Sequence, residues 1–191
     1  MPEPLLTRVP TPCIGVCSTG IGDVVCRGCK RYAHEVIDWN GYSEAQKRAI
    51  SERLEQLLTQ IVAAKLNVFD ATLLASQLQL QRVRYSAHKN PLVWVFELLR
   101  AGATQITDTR KFGFAVDENY HAIGLLALRE QIDREFFILS EAHYQRYMGQ
   151  RYAGQGYSQR GRADHAIDTE AVDSEIESSG PDAASSRFDV V

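Results

Sequence analysis

Between Ser43 and Val62 the apolar residues fall at Ala45, Ala49, Ile50, Leu54, Leu57, Leu58, Ile61 and Val62. Intervals of three, four and one trace a single stripe along an α-helix. The stretch opens on Ser43-Glu44-Ala45-Gln46, a capping box in which the serine oxygen takes an orphan N–H and Gln46 reaches back. A shorter helical signal precedes it, from Tyr32 to Trp39. Further on, Asp70 caps a second helix with Leu73, Leu74 and Leu78 on its apolar side. Asn90-Pro91 reads as an N-cap followed by proline at the first helical position, with Gly102 as the stop. Phe112-Gly113-Phe114-Ala115-Val116 is the best strand, closed by Asp117-Glu118-Asn119. A last helix carries Leu125, Leu128, Ile132, Phe136, Leu139 and Tyr147 at helical spacing. The pattern predicts a mainly α fold with little sheet.

Composition divides the chain into three. Residues 1–65 hold all the cysteines and the first long helix; residues 66–148 form an apolar, cysteine-free helical region; residues 149–191 change character. Within 151–191 four arginines face eight acids amid Gly, Ser and Ala. Such a segment buries too little surface to offset its ordering entropy, so a disordered acidic tail is expected. The net charge of −3 carries no whole-chain signature of nucleic-acid binding. The opening MPEPLLTRVPTP lacks the apolar core of a secretion signal, and no run approaches the ~20 apolar residues that span a membrane. A cytoplasmic location follows as the expectation, where thiols stay reduced.

That compartment makes the four cysteines informative. They follow C-x3-C-x8-C-x2-C: Cys13, Cys17, Cys26 and Cys29. Two close pairs about a turn-rich loop, Ser18 to Asp23, can fold back as a hairpin and converge on one ion. Gly28 stands before the last cysteine, where a metal knuckle turns sharply. Four thiolates suit zinc or an iron–sulfur cluster, and close the coordination sphere against Lewis-acid catalysis. Arg27, Lys30 and Arg31 are placed to offset the thiolate charge. Trp39 is expected to close a small core beneath the site, and a module this short needs a metal as its staple. A thioredoxin-like pair at Cys26/Cys29 lacks its βαβ frame, and His34 is expected as a surface residue rather than a ligand.

The same residues resemble a family. Pro12-Cys13-x-Gly15-x-Cys17, Cys26-x-Gly28-Cys29-x-Arg31, Glu35-Val36-x-x-Trp39 and Ser43 are similar to the bacterial domain-of-unknown-function family 1289, over about residues 12–58. Tyr32, Tyr42 and Gln46 depart from its pattern, and none is a candidate ligand. The resemblance implies a cysteine-based metal site on Cys13, Cys17, Cys26 and Cys29, often labelled iron–sulfur, and implies no reaction.

Elsewhere no nucleophile elbow, zinc-protease or phosphate-loop motif occurs. His121, Asp108, Arg110, Glu141, His143 and Tyr144 are expected to be structural or exposed. The aromatic set Trp94, Phe96, Phe112, Phe114, Phe136 and Phe137 is expected to be core. The sequence thus predicts a non-enzymatic metal-binding protein whose four-cysteine site, zinc or iron–sulfur, stabilises an interaction module for another protein. One alternative is an iron–sulfur electron-transfer or redox-sensing protein. The other is a nucleic-acid-binding accessory protein using Arg27, Lys30, Arg31, Lys47 and Arg48, although eight basic against seven acidic side chains in residues 1–65 argue for a neutral, solvated face.

Overall fold

Ser43 starts the first long helix as the capping box requires. Its Oγ accepts the Gln46 N–H at 3.3 Å, and the Gln46 side-chain oxygen accepts the Ser43 N–H at 2.9 Å. The computed structural model describes residues 8–149; the expected disordered tail lies outside the described residues apart from its first position. In chain order the elements are α1 (Ala33–Ile37), α2 (Glu44–Ala63), β1 (Leu66–Val68), α3 (Ala71–Leu80), α4 (Pro91–Gly102), β2 (Phe114–Val116) and α5 (Gly124–Tyr144), with short 3₁₀ turns between α1 and α2, α4 and β2, and β2 and α5. The described chain is mostly helical, with one small sheet, as expected.

The core gathers around α4. Val93, Trp94, Val95, Phe96, Leu98 and Leu99 are all buried, so this helix is apolar almost all round and must be enclosed. Helices α2, α3 and α5 pack on it. They contribute Leu54, Leu57, Leu58, Ile61 and Val62, then Leu74 and Leu78, then Leu128, Ile132 and Phe136. Asn90 and Asp70 cap α4 and α3 with their side-chain oxygens, as read from sequence. The Trp94 indole N–H is satisfied by the Ser86 carbonyl at 2.9 Å.

Three details differ from the sequence pattern. Ala45 and Ala49 are exposed, because the first turn and a half of α2 runs past the body and the stripe meets the core only from Ile50 onward. Leu139 and Tyr147 are exposed, because the buried face of α5 is Leu128, Ile132, Phe136 and Ser140. The strand starts at Phe114 rather than Phe112, because residues 109–112 coil into a 3₁₀ turn that ends on Gly113 at φ +79°. A Cβ there would stand 2.3 Å from the Asp70 carbonyl oxygen, and the Gly113 carbonyl accepts both Phe69 and Asp70 N–H groups at 3.1 Å. Glycine lets the two loops touch. The sheet that follows is the antiparallel pair β1–β2, in the register Leu66↔Val116 and Val68↔Phe114.

Candidate metal centre

The second cysteine pair lies in the turn of a narrow hairpin. Val25 and Tyr32 form an antiparallel bridge, flanked by the Ala33 N–H on the Val24 carbonyl at 2.9 Å. Inside it, Cys26 N–H meets the Arg31 carbonyl and Lys30 N–H meets the Cys26 carbonyl, each at 2.8 Å. The turn thus folds between the pairs Val25–Tyr32, around Cys26 and Cys29, whereas residues 18–23 between the cysteine pairs make only a 3₁₀ turn. The left-handed residue of the knuckle is Lys30, at φ +60°, not Gly28.

Gly28 is required for another reason. The segment carrying the first pair lies across the knuckle, and a Cβ at residue 28 would sit 2.1 Å from the Val16 carbonyl oxygen and 3.2 Å from the Ile14 side chain. Ser18 ties the two segments together. Its Oγ accepts the Arg27 N–H at 2.8 Å, and the Cys26 thiol lies 3.6 Å from the Val16 carbonyl. Gly15 turns the first segment at φ +88°.

Cys26 and Cys29 are buried side by side, whereas Cys13 and Cys17 are exposed, with the Cys17 sulfur 3.2 Å from the Thr19 hydroxyl. Burial pushes the Cys26 thiol up, but the N–H groups of Cys29, Ser18 and Gly28 and the Cys29 thiol more than offset it, lowering its pKa to about 7. Burial raises the Cys29 thiol, opposed by Arg31, whose Nε donates to its sulfur at 3.3 Å. Among the described residues no three His, Cys, Asp or Glu side chains gather as a metal-holding group. The two segments are adjacent, but the four sulfurs are not drawn to one point.

Two observations nevertheless fit a metal centre. The donors aimed at Cys26 are those that stabilise a ligating thiolate. Arg31, buried and stacked 4.7 Å over the Trp39 ring, leaves its Nη1 without a hydrogen-bond partner beside Cys29. Such a donor awaits an acceptor that additional thiolates would supply. Trp39 is itself buried, and with Val25 and Tyr32 it lies outside the main apolar cluster.

The flanking cations are spent internally. Lys30 is fully buried, its ammonium donating to the Arg27 carbonyl at 2.7 Å, the Gly28 carbonyl at 3.3 Å and the Asp133 carboxylate. Arg27 pairs with Asp23, and Lys47 with Glu44. The five residues considered as a phosphate-binding patch are therefore not one free basic face: Lys30 and Arg31 are interior. Sequence reasoning also missed the cluster beside the knuckle. Glu35 accepts the Tyr32 N–H at 2.9 Å and pairs with Arg53 at 2.7 Å, and that guanidinium lies 3.9 Å over the Tyr32 ring. The Tyr32 capping position at the start of α1, with Glu35 three residues on, was its only local signal. His34 is half-buried against Tyr32. In the body, Asp108 caps a turn through the Arg110 N–H, and His121 bonds the Val116 carbonyl at 2.8 Å. Trp94, Phe96, Phe114 and Phe136 are core and Phe112 packs against it, while Phe137 lies under Arg27 instead.

No helix among the described residues is long and apolar enough to cross a membrane. None of the curated proteins and none of the solved structures compared matches this chain. Residues 11–58, which carry the four cysteines, Trp39 and the first part of α2, match the family described as Protein of unknown function (DUF1289).

Proposed function

We propose that residues 12–42 are a structural metal module. Cys13, Cys17, Cys26 and Cys29 hold one metal centre, zinc or iron–sulfur, and the protein is a non-enzymatic interaction protein. The observation that carries this reading is the knuckle: two buried sulfurs, backbone N–H groups turned to one and the Arg31 guanidinium turned to the other. The exposed pair lies on the segment pressed against Gly28, so loading needs Cys13 and Cys17 to turn inward without moving the hairpin. When bound, the metal supplies cross-linking of two short segments that bury little apolar surface, which is folding energy rather than reaction chemistry. Arg31 offsets thiolate charge, and Gly28 admits the close approach. Val16 and Ile21, 63% and 84% exposed on the cysteine-bearing loops, are the side chains a protein partner would cover.

Elemental analysis and absorbance of protein purified without air test this. One zinc per chain in a colourless sample supports the structural site. Iron with sulfide in a brown sample moves the protein to the electron-transfer or redox-sensing class. Neither metal in a folded, reduced sample removes the proposal.

A further inference from the structure

Helix α5 is held by two different partners along its length. One face enters the main core through Leu128, Ile132 and Phe136; among the described residues, no position of α5 after Phe136 belongs to that apolar cluster. A neighbouring stripe, from Asp133 to Tyr144, is met by the cysteine hairpin. The Lys30 ammonium takes Asp133, the Arg27 guanidinium lies 5.0 Å over the Phe137 ring, and Tyr32 packs edge-on to Tyr144 at 5.2 Å between centroids. Positions 133, 137 and 144 are four and seven residues apart, one stripe of a helix. Hairpin residues 27, 30 and 32 thus grip that stripe from the knuckle itself.

We propose that the hairpin is a metal-dependent clamp on the Asp133–Tyr144 stretch of α5, with Lys30 as its latch. This rests on the metal reading above and adds what the metal controls. Lys30 is suited to the role: it follows Cys29 directly, its left-handed backbone belongs to the knuckle, and its ammonium closes on two knuckle carbonyls and on Asp133 together. If the knuckle loses its shape, all three acceptors cannot stay within reach of one ammonium. Residues 137–144 place no apolar side chain in the main cluster, and the fully buried Ser140 lies on the same stripe as Phe137 and Tyr144, so losing the hairpin uncovers that stripe and lets the helix end fray. Metal loss therefore frees the end of α5 while leaving the stretch packed through Leu128, Ile132 and Phe136 in place.

Hydrogen exchange of the full chain, loaded with Zn2+ and then stripped by a chelator, tests this. Stripping should speed exchange of the 137–144 amides about tenfold or more, while α4 and Leu54–Val62 keep their protection. Unchanged exchange at 137–144 after the zinc has left overturns the proposal. So does loss of protection throughout the body, since the metal would then hold the whole fold. Lys30→Met should reproduce the effect in zinc-loaded protein, and Asp133→Asn, at a position 45% exposed and safe for folding, should do so more weakly. Should the chain take up no zinc, the metal reading fails on its own; the grip is then judged by Asp133→Asn, and unaltered exchange at 137–144 overturns it too.

Discussion

A methyl group at residue 28 is the sharpest probe of how the two cysteine segments meet. In Gly28→Ala the new Cβ would lie 2.1 Å from the Val16 carbonyl oxygen, a backbone atom that no rotamer change can move aside. Reaching ordinary contact, roughly 3.5 Å, requires the first segment to retreat by more than an ångström. That retreat breaks the Ser18–Arg27 bond of 2.8 Å. That bond, at about 1 kcal/mol, plus overpacking of about 1–2 kcal/mol, gives a loss of about 2–3 kcal/mol. Because zinc binding needs both segments together, zinc affinity should fall by roughly a hundredfold, read by competition with a chromophoric chelator. Gly20→Ala is the control: nothing lies within 4 Å of its Cβ, and its affinity should be unchanged. Zinc binding by Gly28→Ala within about threefold of the parent chain would refute the close approach of the segments.

Arg31→Met removes the donor to Cys29 while keeping a flexible apolar stem over Trp39; zinc affinity should drop about tenfold, and Arg31→Lys should recover little of it, since only the fork reaches the sulfur. Leu74→Ala, at a fully buried site far from the cysteines, should cost about 3 kcal/mol in urea unfolding and leave zinc affinity alone. The Glu135 carboxyl is raised by burial but lowered further by the Lys65 ammonium at 2.6 Å and the Gln131 amide, so its net shift is downward. A depressed folded pKa stabilises above the unfolded value and loses that stability as pH falls through the folded one. The stability gap between the parent chain and Glu135→Gln should therefore be widest near neutrality and close in acid; a gap independent of pH would contradict the pairing.

What the sequence disclosed follows from how local each signal is. Ser43, Asp70 and Asn90-Pro91 cap their helices through bonds two or three residues away, so their roles were legible without the fold. Strand β1 was not: Leu-Asn-Val has no length or alternation, and it exists because β2 pairs with it across some fifty residues. Gly113 broke the predicted strand through a contact with Asp70 that only the tertiary structure creates. At the cysteines, the two close pairs were legible and their placement was not. Lys30 reads as a solvated cation, yet it is buried, because a helix more than a hundred residues on supplies Asp133. Gly28 was singled out correctly as constrained, but for turn strain rather than the passage of Val16. The pairing of Cys26 with Cys29 matches the short CxxC spacing; the exposure of Cys13 and Cys17 does not follow from any spacing.

Native mass spectrometry of freshly purified, reduced full-length chain tests the central claim most directly. The account predicts one metal centre bound per chain, lost together with the fold of residues 12–42 when Cys26 and Cys29 are both replaced by serine. A folded chain carrying neither zinc nor iron, with all four thiols open to alkylation, would contradict it.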